Sequence, residues 1–401
     1  MPATPVTGRA WVALVGPFLF PWGQPGSRRV YGMARSLAAA GYDVVVASGE
    51  EGPSTPTRLD EVDGPGSVHY LGLGEIPSAQ AGRLARSVQW FLRWGQRTVH
   101  WLDAQPTRPS HVLVAGGDAP YMVHLRRWCR RNAIPLVADV VDWYSPRQMR
   151  GGVLGPPHLS AKAALRYYYP RCDGIIAVSS FLERHYRNRG SRVLRVPPTL
   201  DVQNLPVHPR RDGTGAPELR LVYAGTPGRK DLIANIIRAV GRVHRAGAGI
   251  ELRIYGPAPE QVRDLLDGEP TPPGVRVLGR LPQHEIPRAL QEADFSVLLR
   301  EPARFVQAGF PTKFCESLAN STPVIANLTS DLGGYLHHRS EGLVCDDHSV
   351  DGLTGTLREA LRLSAAERKV MRELARRRAL DSFDFRVYAQ PLGAFLDDVR
   401  L

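Results

Sequence analysis

Cysteine is scarce in this 401-residue chain: Cys129, Cys172, Cys315 and Cys345 stand far apart, without metal-ligand or CxxC spacing. That scatter argues against a disulfide framework or a zinc site and suits a reducing cytoplasm. No apolar run is long enough to span a bilayer. The stretch Trp11–Phe20 is apolar but short, holds Gly16 and Pro17, and lacks a small-residue cleavage site. It reads as a first buried strand rather than a signal peptide. Lysine is as rare as cysteine, at Lys162, Lys230, Lys313 and Lys369, and arginine supplies the rest of the 51 basic residues. Acidic residues are short in the first half: residues 1–200 hold 24 Arg+Lys against 13 Asp+Glu, and residues 201–401 hold 27 against 26. Nearly all of the +12 net charge therefore sits in the first half. Such a half either meets something anionic or stays soluble by self-repulsion. No aromatic–basic RNA-binding motif accompanies the charge, so no nucleic-acid partner is expected.

What is present is an ordinary apolar content and a length that fits two domains. Strand and helix patterns alternate throughout, the signature of doubly wound α/β sheets. In residues 1–198 the strand Ala10–Val15 leads into a glycine-bearing loop, a helix over Ser27–Ala40 stopped by Gly41, and a second strand at Asp43–Ala47. Gly23 and Gly26 in that loop would let a ligand approach the backbone, although the spacing is not GxGxxG and a plain connecting loop is the alternative. A helix is expected over Ala79–Leu102. Trp90, Trp94 and Trp101 form a stripe on it, interleaved with Arg83, Arg86, Arg93 and Arg97. The stripe predicts that Trp90, Trp94, Arg93 and Arg97 face an acceptor or an anionic membrane; a wide core face with solvated arginines is the alternative. Further strands end at Gly116-Gly117-Asp118 and at Asp139 and Asp142. Carboxylates past a strand's carboxyl end are site candidates in this architecture, with Asp118 favoured as a helix cap.

Residues 199–217 are rich in Pro, Gly and charge and read as a linker. The second α/β series, 218–383, holds two turns of similar logic. After the strand Leu219–Ala224 comes Gly225-Thr226-Pro227-Gly228-Arg229-Lys230, a turn and helix start tipped by cations, without the GKS/T of a Walker loop. Cations in a helix's first turn oppose its dipole unless they face an anion. The other turn lies in AGFPTKFCESLANSTPVI, residues 308–325, where Gly309, Phe310, Pro311, Thr312 and Lys313 open a helix with unpaired N–H groups. Glu316, one helical turn on, is placed to accept from a hydroxyl beyond the phosphate. An ordinary loop–helix–strand unit with a surface Glu is the plain alternative.

With both turns placed, the chain resembles the GT-B glycosyltransferases, and among them the retaining family 4 group. The carriers are Arg28-Arg29-Val30 with Gly41-Tyr-Asp-Val, Ala177-Val-Ser-Ser180, Val196-Pro-Pro-Thr-Leu-Asp201, the Gly225–Lys230 loop, Tyr255-Gly256-Pro257, Ala293-Asp294, and Gly309-Phe310 to Glu316 with Thr322-Pro323-Val-Ile. The resemblance implies two Rossmann-like domains facing across a cleft, with a final helix, 384–401, returning to the first domain. It also implies retained anomeric configuration, a nucleotide-sugar donor, a hydroxyl acceptor, no cofactor and no obligatory metal. By position, Lys230 matches the lysine that neutralises the leaving diphosphate and Glu316 the second glutamate of the E-x7-E motif, which holds the ribose. Two departures stand out. The first glutamate position is Ala308, with Glu301 and Arg304 nearby. The first-domain histidine is replaced by Asp142 or Trp143.

The expected activity is sugar transfer in which Lys230, Arg229, Lys313 and the backbone at Thr312 stabilise the departing diphosphate while Asp142 orients a hydroxyl. A lipid-linked or polysaccharide-precursor acceptor, met by a cytoplasmic protein at the inner face of the membrane, would suit the basic first half; a soluble secondary metabolite is an equally compatible acceptor. The two departures favour a rival reading, a catalytically silent nucleotide-binding partner of another transferase. A sugar-nucleotide epimerase is a third.

Overall fold

A computed structural model describes residues 10–21, 25–60, 64–77, 90, 93–146, 149, 151–208, 218–225 and 230–400. The chain divides into two units, Met1–Thr199 with Phe385–Leu401, and Leu200–Asp384. The architecture is α/β in both.

In the first unit, eight strands form one sheet in the order β3-β4-β2-β1-β5-β6-β7-β8. They are β1 Trp11–Val15, β2 Asp43–Ser48, β3 Thr57–Asp60, β4 Ser67–Gly72, β5 His111–Ala115, β6 Leu136–Val140, β7 Gly174–Ala177 and β8 Val193–Arg195. All pairs are parallel except β3 with β4. Every residue of β1, β2, β5 and β6 is buried, as expected of parallel strands covered on both faces. Helix α1, Pro25–Ala39, lies against this sheet and stops where Gly41 takes a φ of 103°, a conformation that glycine adopts without strain. The last helix, Ala389–Asp398, belongs to this unit. Leu396 accepts a hydrogen bond from His111 Nε2 at 2.9 Å, and Ser36 Oγ donates to the Phe385 carbonyl at 2.7 Å.

Six parallel strands make the second sheet, in the order β11-β10-β9-β12-β13-β14. They are β9 Leu219–Ala224, β10 Ile250–Tyr255, β11 Val275–Gly279, β12 Phe295–Leu298, β13 Val324–Asn327 and β14 Gly342–Cys345. The core between this sheet and its helices holds Ile236, Ile237, Val240, Leu252, Ile254, Phe295 and Leu353, all less than 1% exposed.

The expected helix over 79–102 is corrected. Residues 78–89 and 91–92 lie outside the described ones, and the helix that is present, α2, spans Gln96–Asp103. Gly95 precedes it with a φ of 88°, so the chain turns there. Glu75, 1% exposed, accepts from the N–H groups of Gly95 and Thr98 at 3.1 and 2.8 Å, which satisfies the helix's open donors with a carboxylate. Asp139 is also reassigned. Its carboxylate receives Arg29 Nε and Nη2 in a bidentate pair, each side chain 6% exposed, and Arg29 Nη1 reaches the Val196 carbonyl at 2.9 Å. That pair ties α1 to β6 and β8, and it leaves Asp139 no free oxygen for a ligand.

Removing one partner of such a buried pair strands the other charge, so Arg29→Ala is expected to cost about 3–5 kcal/mol in urea unfolding. A variant with an unaltered midpoint would show that the pair is not holding the sheet to α1.

Candidate functional site

The two turns singled out in the second unit meet in the structure. Gly225, at the end of β9, has a φ of 145°, and a Cβ there would fall 2.1 Å from Lys313 Cε. Only a glycine at 225 leaves room for that side chain. Lys313 opens helix α10, Thr312–Ala319, whose N-cap, Pro311, offers no side-chain cap. The first N–H groups of the helix are therefore left to backbone, water or ligand.

Beneath the turn lies a carboxylate that the sequence reading passed over. Asp231, 3% exposed, receives Arg300 Nε at 2.8 Å on one oxygen and Lys313 Nζ on the other. Tyr223 donates its hydroxyl to the same Asp231 oxygen at 2.8 Å and accepts from Lys313 Nζ at 2.9 Å. Arg300 is fixed through its backbone as well, because Asn327 Oδ1 accepts its N–H at 2.9 Å and Asn327 Nδ2 donates to its carbonyl at 2.8 Å. Burial alone would raise the Asp231 carboxyl. The Arg300 and Lys313 charges, with hydrogen bonds from Lys313 and Tyr223, overcome it and hold the pKa at about 2. Burial and the Asp231 charge push the Tyr223 phenol upward, so it stays protonated. Two cations and one anion leave one net positive charge at the base of the turn.

This geometry changes the part expected of Lys313. Its ammonium is not a bare charge at the helix tip, because it is engaged by Asp231 and Tyr223; it remains 21% exposed. Phe310 is likewise a packing residue. It is 8% exposed, its ring 5.6 Å from Tyr335 and 5.9 Å from Phe383, so only its backbone can meet a ligand. The Gly309 carbonyl accepts from Ser330 Oγ, and Pro311 is buried. Thr312, Glu316 and Lys230 are half-buried. Thr226 and Arg229 lie outside the described residues, as does Gly23. Ala308 is wholly buried on the short helix α9, Arg304–Ala308, so an acidic side chain at that position would enter the core. Glu301 and Arg304 are exposed.

In the first unit, Gly26 is exposed at the start of α1, with nothing within 4 Å of where a Cβ would sit. Asp142 is half-buried past the end of β6, and Trp143 beside it packs edge-on to Phe181 and His185. The tryptophan–arginine stripe is corrected: Trp94 is 8% and Trp101 6% exposed, turned into the core by the break at Gly95. Arg93 is exposed, and Arg97 donates to the Leu73 and Gly74 carbonyls. Trp90, half-buried, instead lines a pocket of about 360 Å³ with Gly116, Gly117, Asp118, Tyr144 and Tyr169. Asp118 is the N-cap of helix α3, Ala119–Arg131, but its side chain makes no cap bond. Burial pushes its carboxyl up to about 6, against contacts from the Tyr121 backbone and the Trp90, Ser160 and Trp94 side chains. It holds the N-cap position expected of it and lines the pocket as well.

Two family models match the chain in succession. Residues 26–204 match Glycosyltransferase Family 4 and residues 212–378 match Glycosyl transferases group 1. A glycogen synthase of Mycobacterium tuberculosis is 24% identical over 380 residues, covering 90% of this chain and 88% of that one. The fold is also that of sucrose-phosphate synthase from Thermosynechococcus elongatus, with a TM-score of 0.71 at 15% identity over 98% of this chain and 99% of that one. Anabaena HepE, solved with UDP-glucose, gives 0.64 at 12% identity over 96% and 99%.

A depressed carboxyl stabilises the fold above its unfolded value of 3.8, and that contribution is lost as pH falls through about 2. Asp231→Asn is therefore expected to lower stability near neutral pH by on the order of 2 kcal/mol, with the deficit shrinking as wild type is acidified toward about pH 2. Urea midpoints of both proteins along that pH series check it. A deficit independent of pH would remove the ion-pair account.

Proposed function

The chain is a GT-B glycosyltransferase of the family 4 type, and from that premise we propose that it moves a sugar from a nucleoside diphosphate donor to a hydroxyl acceptor with retained anomeric configuration. The observation that carries this reading is the Asp231-held pair of cations under the Gly225 turn, next to an uncapped helix start. As the glycosidic bond to the diphosphate breaks, negative charge grows on the departing oxygens. Cations and N–H dipoles already fixed there stabilise that charge without reorganising, and so favour the transition state over the bound donor. Lys230, at the end of the turn, is the cation proposed to meet the leaving group, and Arg229 a second. Lys313 and Arg300 supply the standing field. Glu316, one turn along α10, is proposed to accept from the ribose hydroxyls.

The reaction is proposed to need no metal, because this chain's own cations take up the diphosphate charge. HepE binds UDP-glucose or UDP, which supports a uridine nucleotide as the first donor to try, before ADP-, GDP- and dTDP-sugars. The retained configuration rests on the family 4 likeness. Asp142 is proposed to orient a hydroxyl. The basic first half favours a lipid-linked or polysaccharide-precursor acceptor. Ala308, buried where the family carries a glutamate, favours the rival reading of a silent nucleotide-binding partner. Turnover by the purified chain separates the two.

Lys230→Ala is expected to lower kcat by about 10²–10³-fold while the thermal midpoint stays that of wild type. A folded variant turning over at the wild-type rate would end the leaving-group role. Proton NMR of the product is expected to show the donor's anomeric configuration, and an inverted product would refute the mechanism.

A further inference from the structure

Helix α3 buries Tyr121, Met122, Leu125, Trp128 and Cys129 and turns its remaining side to solvent. On that side Arg126, Arg127, Arg130 and Arg131 line one open recess of about 500 Å³ with Val123, Tyr167 and Tyr168. None of the hydrogen bonds or ion pairs among the described residues engages Arg127, Arg130 or Arg131. The neighbouring segment adds Lys162, Arg166 and Arg171, the last stacked 3.8 Å over the Tyr167 ring. Residues 119–131 and 151–171 together hold seven cations and not one Asp or Glu. These two segments thus carry seven of the eleven excess positive charges of the first half.

Apolar groups are exposed on α3 and on the adjoining segment. Val153 is 62% exposed, Leu154 82%, Leu159 46% and Val123 45%. Val123 also borders an adjoining groove of about 480 Å³, lined by Trp90, Pro120, Pro156 and Leu159. Arginines alone would suit any polyanion. Arginines on one helix beside a segment that carries tyrosines and exposes Leu and Val suit a surface that is anionic at its phosphates and hydrocarbon just below.

We propose that this face, α3 with the Gly152–Arg171 segment, docks on an anionic phospholipid leaflet: the arginines meet headgroup phosphates and Leu154 and Val153 enter the acyl boundary. This goes beyond the transfer reaction and does not depend on it. It also moves membrane contact away from the tryptophan stripe, whose Trp94 and Trp101 are core residues.

The test is flotation of the full chain with phosphatidylcholine vesicles and with vesicles that also contain phosphatidylglycerol, at low and at high salt. Wild type is expected to bind the anionic vesicles only and to be released by salt. Arg127→Glu with Arg130→Glu is expected to weaken binding by about tenfold or more. Leu154→Ser is expected to weaken it severalfold while leaving the salt dependence in place. The thermal unfolding midpoint, read on the same samples, should be that of wild type in both variants, showing that they fold. Equal binding to neutral vesicles, no vesicle binding, binding untouched by the variants, or capture by soluble heparin with none by vesicles would each overturn the proposal.

Discussion

One buried carboxylate governs the second unit's functional edge. Asp231 is held between Arg300 and Lys313 and joins two cations that lie at the ends of different elements. Arg300 follows β12 and is fixed by Asn327 from β13; Lys313 opens α10; Asp231 itself follows the turn after β9. Three neighbouring strands and one helix are thereby locked at their ligand-facing ends. A rigid array of like charges is costly to build, and the anion between them offsets that repulsion while leaving a net positive field. Preorganised charge of this kind is what stabilises a departing diphosphate.

The first unit applies the same device to a different end. Arg29 and Asp139 are fully satisfied by each other and by the Val196 carbonyl, so their charge is spent inside the protein. What faces solvent there is the Asp118 pocket and, beyond Trp90, the arginine face of α3. A helix whose one side carries Tyr121, Leu125 and Trp128 and whose other carries four arginines is amphipathic, yet among the described residues no ion pair engages those arginines. Self-repulsion along such a face is tolerable in water only because solvent and salt screen it.

Much of this was legible in the residues. Strands such as VVVA in β2 and HVLVA in β5 show as apolar runs because parallel strands are covered on both faces. The two glycine turns were legible because glycine followed by a helix start and a cation is a local pattern. Strand β3, TRLD, was not, since an antiparallel edge strand needs no apolar run. The tryptophan stripe failed for a long-range reason: Glu75 holds Gly95 in a turn, so periodicity read across residue 95 placed Trp94 and Trp101 on a surface that is not there.

The alternation of strands with helices and the domain type follow from the sequence alone, because each is written in residues close together along the chain. Which groups are free and which are spoken for was settled only by the fold. Asp231 lies 69 residues from Arg300 and 82 from Lys313, and Phe310 finds Phe383 from the far end of the unit. Electrostatic pairing and ring packing depend on distance in space, and no local pattern records which distant partner a side chain will meet.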